Sequence, residues 1–309
     1  MSRVQANLVM LLAAVLWGAG NVAQQTVLQD VGPLTAVGIR GVLALLVVLP
    51  MARAEARKSR PYTRADWRLA LWMSLLFAIG TALYQAGYAG TTVTNAGFLV
   101  NLSAVLTPLF ACCFYRQRLC MVAIPAALLA LGGIYLLGGG SLASITWGDG
   151  LCLLAAATFS VWIIEMGRLT QRTGRPVMAA AVQFATLAAL GLPAGLALET
   201  FTTAGFVHAI PQLLWLGIVS TGFAYLLSAI SQANTTATDA GILMSAESLF
   251  GAAAAFLLLG EVLTAGMLIG AGLIVAAVVL VQLPQDLLMR QAMRIARWLH
   301  SPHRTQARA

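Results

Sequence analysis

The chain carries one stretch of itself twice. Thr91-Thr92-Val93-Thr94-Asn95-Ala96-Gly97-Phe98-Leu99 returns as Thr235-Thr236-Ala237-Thr238-Asp239-Ala240-Gly241-Ile242-Leu243, with six of nine positions identical at a constant offset of 144. Leu11-Leu12-Ala13-Ala14 likewise returns as Leu153-Leu154-Ala155-Ala156. Each copy spans about 140 residues, room for five membrane helices of about 20 residues with their loops. Five is odd, so the second copy enters the membrane from the side opposite the first. Inverted repeats of this kind are a plan of secondary transporters, with the binding site between the repeats.

Composition makes the membrane reading firm. The residues are 60% hydrophobic and 9% charged, against about 25% charged in an ordinary soluble domain. Apolar runs fall near 8–28, 34–52, 67–87, 96–115, 120–138, 148–167, 177–198, 211–232, 240–259 and 265–283. They predict an all-α membrane protein of ten transmembrane helices, two inverted five-helix repeats around a central cavity. The first repeat is 1–140 and the second 141–284. Gly138-Gly139-Gly140-Ser141 joins them, and 285–309 forms a basic tail whose Leu288, Ala292, Ile295 and Leu299 recur at helical spacing. Such a tail suits an anionic leaflet.

The net charge of +8 does not point to nucleic acid. Arg3, Arg53, Arg57, Lys58, Arg60, Arg64, Arg116, Arg118, Arg168, Arg172, Arg175 and the tail arginines all fall on one side if the helices alternate. That is the positive-inside pattern, and it predicts two cytoplasmic termini. The first apolar run is too long for a signal peptide and ends in Asn21, Gln24 and Gln25, so it reads as a retained helix. Cys112, Cys113, Cys120 and Cys152 form no metal-ligand or disulfide pattern. No H-E-x-x-H, G-x-S-x-G or Walker A motif occurs. His208, His300 and His303 fall in a loop and the tail. The sequence therefore predicts no catalytic residues, no metal and no cofactor.

Ionisable residues at membrane depth are few, and each needs a partner or a wet cavity. Glu165 reads either as an acid reaching to Arg168 or as a cavity residue. Glu247, seven residues into the ninth helix, reads either as an ion-coupling residue or as a structural partner of Arg40. Glu261 follows Gly260 and reads as a helix end. Helix interiors also hold Trp17, Asn21, Gln25, Tyr84, Gln85, Tyr88, Asn101, Trp162, Gln183 and Tyr225. Trp67, Trp147 and Trp215 suit an interfacial belt. Trp17 and Trp162 lie deeper, and Trp17 falls within one residue of the place that Phe159 takes in the second half. Paired aromatics of this kind would wall one cavity and suit a flat or cationic solute by stacking and cation–π attraction. Pro108 predicts a kink in the fourth helix beside Asn101, and so a hinge. Gly266-x-x-x-Gly270 is a small-residue seam, for intramolecular packing or for a homodimer.

These features together resemble the EamA-type drug/metabolite transporter superfamily. The likeness rests on Leu16-Trp17-Gly18-Ala19, on Asn95-Ala96-Gly97 leading to Thr107-Pro108, and on Ala240-Gly241-Ile242-Leu243-Met244-Ser245-Ala246-Glu247 running to Leu259-Gly260-Glu261. It covers about 5–283. The family commonly has a proline after the glutamate of helix nine, where Ser248 stands here. The position matching Pro108 by the repeat offset is Ala252, so no proline enforces the corresponding kink in the second half. The resemblance implies a basket-like cavity and export of small organic metabolites across a bacterial inner membrane. Within the family, the aromatic-rich cavity is most similar to the aromatic amino-acid exporter branch. On that reading Trp17, Tyr84, Tyr88 and Trp162 contact a small-molecule substrate, while Asn21, Gln85 and Asn101 orient its polar groups. Glu247 carries the coupling ion. Efflux of cationic aromatic drugs is the competing transport reading, and a non-transporting membrane scaffold or sensor the competitor of another class.

Overall fold

A computed structural model describes residues 1–91, 93–116, 123–137, 146–200, 202–251, 253 and 264–282. The glycine-rich join, Arg118, Cys120, Ala252, Leu259, Gly260, Glu261 and the basic tail with His300 and His303 lie outside the described residues. All regular structure among the described residues is helical. Six helices are long and apolar enough to cross a membrane: Pro33–Lys58, Arg64–Gly87, Ala96–Tyr115, Trp147–Thr173, Pro176–Leu198 and Ile210–Gln232. A seventh span arises if Arg3–Gly18 and Ala23–Gln29, bent by 43°, count as one. Ala123–Leu136 and Ala265–Leu280 are shorter apolar helices.

In chain order the elements are α1 (Arg3–Gly18), α2 (Asn21–Thr26), α3 (Pro33–Lys58), α4 (Arg64–Gly87), α5 (Val93–Val100), α6 (Ser103–Tyr115), α7 (Ala123–Leu137), α8 (Trp147–Thr173), α9 (Pro176–Leu198), α10 (Thr203–His208), α11 (Ile210–Leu214), α12 (Ala224–Gln232), α13 (Ala237–Met244) and α14 (Ala265–Gln282). A nine-residue π-helical stretch, Trp215–Phe223, joins α11 to α12. Capping boxes start α1 (Ser2 with Gln5), α4 (Thr63 with Asp66) and α8 (Thr146 with Asp149). Each gives the exposed amides of the first turn a side-chain acceptor. Gly174, at φ 65°, ends α8 in the left-handed conformation that a glycine adopts without strain.

The helices pair in a regular way. α3 lies along α9, α7 along α14 and α6 against α13, while α4 lies along α8 and α1 along α12. A shift of about 144 residues, the sequence offset, carries α4–α8 onto α12–α1 and carries the α3–α9 and α7–α14 pairs each onto itself, while α13 is the counterpart of α5. The α3–α9 contact is backbone to backbone. A methyl group on Gly38 would lie 2.3 Å from the Leu192 nitrogen, and one on Gly191 would lie 2.8 Å from the Gly38 nitrogen. Only glycine allows that approach. Both ends of this pair are tied by carboxylates. Glu199, just past α9, accepts from Leu34 N and Thr35 N, both at 2.8 Å. Glu55, near the end of α3, accepts from Val177 N at 3.2 Å and Met178 N at 2.7 Å. Each helix thus has its N-terminal amides capped by a glutamate from the end of the other, and the two glutamates stand 144 residues apart in sequence. Gly270, from the small-residue seam, packs inside the molecule: its carbonyl oxygen would lie 2.6 Å from a methyl on Gly133 of α7.

Apart from the buried Arg40, the described Lys and Arg side chains gather at one end of the bundle. Arg3 pairs with Asp239 at 2.7 Å, Arg172 with Asp66 at 2.8 Å, and Arg168 with Glu165 at 2.8 Å. The Arg175 guanidinium sits 4.6 Å over the Tyr62 ring. Burial pushes the Tyr62 phenol up to about 12, so it stays protonated at physiological pH and can donate to the Arg175 carbonyl at 3.4 Å. Glu165 also accepts from the Tyr115 hydroxyl at 2.7 Å. Of its two sequence readings, the structure thus gives the one that pairs it with Arg168. Among the described residues the opposite end holds no Lys or Arg. There His208 meets Asp30 at 2.6 Å, in a short helix rather than the expected loop.

Candidate functional site

Two helices that look continuous in sequence are broken at matching places. α5 stops at Val100 and α6 resumes at Ser103, so the interruption is at Asn101–Leu102. α13 stops at Met244, and the chain is helical again from 247, so the second interruption is at Ser245–Ala246. The two breaks are 144 residues apart. α6 runs through Pro108 without interruption, so the expected break lies seven residues earlier than the proline. The second half breaks with no proline at Ser248. Both breaks are instead held by a short polar side chain that turns back onto its own helix. Asn101 Nδ2 donates to the Gly97 carbonyl at 2.7 Å, and Ser245 Oγ to the Ile242 carbonyl at 2.6 Å. Asn101 also donates to Ser248 Oγ at 3.0 Å, tying the two broken helices together. Asn101 therefore serves the break, with both observed bonds inside the protein. A third interruption, at Ala19–Gly20 between α1 and α2, has no counterpart in the continuous α8. There a methyl on Gly18 would lie 2.6 Å from the Glu247 carbonyl oxygen, so the end of α1 lies directly on the second broken helix.

Around these breaks the helices enclose a chain of aromatic rings. Trp17 meets Tyr225 with centroids 4.7 Å apart, and Tyr225 meets Phe77 at 4.7 Å and Trp162 at 5.7 Å. Trp162 lies 6.1 Å from Phe159, Phe159 lies 6.4 Å from Tyr84, and Tyr84 lies 4.9 Å from Tyr88. The Tyr84 and Tyr88 hydroxyls share a hydrogen bond of 2.8 Å. Trp17, Tyr84, Tyr88 and Trp162, all singled out from sequence, are thus joined, and Tyr225 and Phe159 are the rings that link them, with Phe77 packed beside Tyr225 and Trp162. Trp162 is fully covered and donates its indole N–H to Gln183 at 3.1 Å. Trp17 is 4% exposed, yet its indole N–H has no partner among the described residues. The belt residues behave differently: Trp67, Trp147 and Trp215 remain 40%, 63% and 38% exposed.

A polar cluster adjoins the rings. Arg40, from the first third of α3, is 2% exposed. Its Nε donates to Thr221 Oγ1 at 3.0 Å, and its Nη1 to Gln24 Oε1 at 3.2 Å and Gln85 Oε1 at 3.0 Å. Gln85 is locked in turn by its bond to the Gln24 carbonyl at 2.9 Å. Thr221 comes from the π-helical stretch, a distortion that often marks a working site. Gln24 Nε2 donates to Asn21 Oδ1 at 3.1 Å, and Asn21 and Glu247 are neighbours. Glu247, Tyr84, Tyr88 and Tyr225 all lie within electrostatic reach of Arg40. Among the described residues Glu247 and Arg40 form no contact ion pair. Sequence had placed Gln24 only as a helix residue and Thr221 nowhere. A basic residue inside an apolar run is the signal that pointed to Arg40, but its partners lie 16, 45 and 181 positions away. Separately, an apolar pocket of about 180 Å³ opens between α3, α4 and α9, lined by residues such as Val37, Ala82 and Leu187.

Comparison with known proteins fits this architecture. An uncharacterized transporter of Archaeoglobus fulgidus is 28% identical over 284 residues, covering 91% of this chain and 87% of that protein. Another, from Methanothermobacter thermautotrophicus, is 26% identical over 213 residues, covering 64% of this chain and 59% of its own. A crystal structure superposes with a TM-score of 0.73 at 19% identity, covering 91% of this chain and 98% of the other, a likeness of fold. The model of the EamA-like transporter family matches twice, over residues 4–139 and 146–283. The chain belongs to the EamA-like transporter family: it is a multi-pass membrane transporter of a small-molecule substrate, not an enzyme.

Proposed function

We propose that the protein exports aromatic or neutral amino acids, or similar small amphiphilic metabolites, across a bacterial inner membrane. It does so by alternating access between two inverted five-helix halves, ten spans in all, with both termini cytoplasmic. The observation that carries this reading is the buried ring chain from Trp17 to Tyr88 set against the Arg40 cluster, an apolar wall beside hydrogen-bonding groups. The exchange of helix pairs under the 144-residue offset supports two equivalent halves. The gathering of basic residues at one end supports that end as the cytoplasmic one. Trp17, Tyr84 and Tyr88 contact the solute, and Trp162 backs the wall. Asn21 and Gln85 set the polar side, Asn101 fixes the broken helix, Pro108 is a hinge point within α6, and Glu247 responds to protons.

The test is efflux of labelled Phe, Trp and Thr from proteoliposomes, with and without an imposed pH gradient, beside Trp17→Ala. Flux lost in the variant supports the reading, while no flux of any of the three overturns it. One observation favours a second reading: the Glu247 carboxylate lies near a set of rings, an arrangement that also suits aromatic cations. Competition by a cationic dye for the same flux would favour drug efflux instead.

A further inference from the structure

We propose that Arg40 is a substrate-binding residue, and that it takes the carboxylate of an anion-headed solute with an apolar or aromatic body. The inference rests on the reading that the ring-lined interior is the transport site. Arg40 is nearly fully buried, and all three of its observed hydrogen bonds go to neutral acceptors, Thr221, Gln24 and Gln85. Those bonds use Nε and Nη1 only. Nη2 donates to no group among the described residues, so the outer edge of a rigidly held guanidinium keeps two N–H groups for a ligand. A buried cation without a contact anion is costly, and the structure keeps the nearest carboxylate from closing on it. Arg40 bonds Gln24 and Gln24 bonds Asn21, an amide pair on the side of Glu247, and no ion pair forms between Arg40 and Glu247 among the described residues. Nη2 of such a cation can give a charge-assisted hydrogen bond to a carboxylate oxygen. Beside it, the orphaned Trp17 indole N–H asks for a further oxygen acceptor, and the rings supply the face for an apolar body.

The experiment is equilibrium binding by tryptophan fluorescence, on the full-length protein in lipid nanodiscs. The probes are L-phenylalanine and phenylacetate, each against its carboxamide. Wild type should bind a carboxylate about 10- to 100-fold more tightly than its amide, the range for one strong charged hydrogen-bond pair. Arg40→Gln should bring that ratio to about one while leaving the amide's affinity in place, and Arg40→Lys should keep part of it. Equal binding of acid and amide by wild type overturns the proposal, a result that needs no variant to fold. Discrimination retained in Arg40→Gln overturns it as well. If phenylacetate is discriminated through Arg40 while phenylalanine does not bind, the Arg40 assignment stands and amino-acid export falls. If phenylalanine binds and Arg40→Gln keeps the full preference, export stands and the assignment falls.

Discussion

The reciprocal carboxylate caps on α3 and α9 make a sharp stability prediction. Each glutamate bonds two backbone amides in the first turn of the partner helix, at 2.8 and 2.8 Å for Glu199 and at 3.2 and 2.7 Å for Glu55. Those amides have no intrahelical acceptor, and the positive end of the helix dipole reinforces the attraction. Both glutamates are half-buried, so solvent discounts the charged term. Removing a cap of this kind costs about 1–2 kcal/mol. The caps sit near opposite ends of a 26-residue helix, about 30 Å apart at 1.5 Å per residue, so their effects should add, to about 2–4 kcal/mol in the double variant. Thermal unfolding in detergent, followed by tryptophan fluorescence, should show Glu55→Ala and Glu199→Ala each lowered by roughly 2–8 °C. The double variant should fall by the sum, and each Gln variant should lie between Ala and wild type because one oxygen acceptor remains. If either Ala variant melts with wild type, or if the pair is strongly non-additive, the caps do not hold the α3–α9 pair as argued.

Gly38→Ala should destabilise the same pair more than Gly150→Ala, because the first methyl meets backbone at 2.3 Å while the second meets nothing within 4 Å; the two melting curves decide it. Glu247→Gln should abolish any response of flux to an imposed pH gradient while sparing substrate binding, and an unchanged response would remove Glu247 from coupling. The two ends of the bundle are closed by related contacts, Thr235 with Asn7 at one and Thr91 with Asp149 at the other. A cysteine pair at either place should stop transport when oxidised and release it when reduced. Flux that continues through an oxidised pair would show that end to be no gate.

Much of this architecture was open to reading, because repetition and hydropathy are local. The 144-residue echo, the deep placement of Trp17 and Trp162, and the pairing of Glu165 with Arg168 needed only spacing along the chain. The helix breaks were legible in kind but not in place. Proline is a visible breaker, yet here Asn101 and Ser245 do the work through back-bonds to their own helices, and such residues occur inside ordinary membrane helices too. The Arg40 cluster was legible only as a charge in need of partners. Which partners depends on three elements brought together from distant parts of the chain, and on a π-helical stretch that leaves no periodic trace in the sequence.

The absence of proline from the second break changes what that break can do. A proline imposes its bend permanently, since the missing N–H cannot be restored. At Ser245 every backbone donor is present, and the interruption is held open by a single hydroxyl-to-carbonyl bond. Such a joint can straighten and bend again at small energetic expense, and the Asn101–Ser248 bond couples it to the joint of the first half. The two joints are held by the same kind of bond and tied to each other, so a change of bend in one half would be handed on to the other.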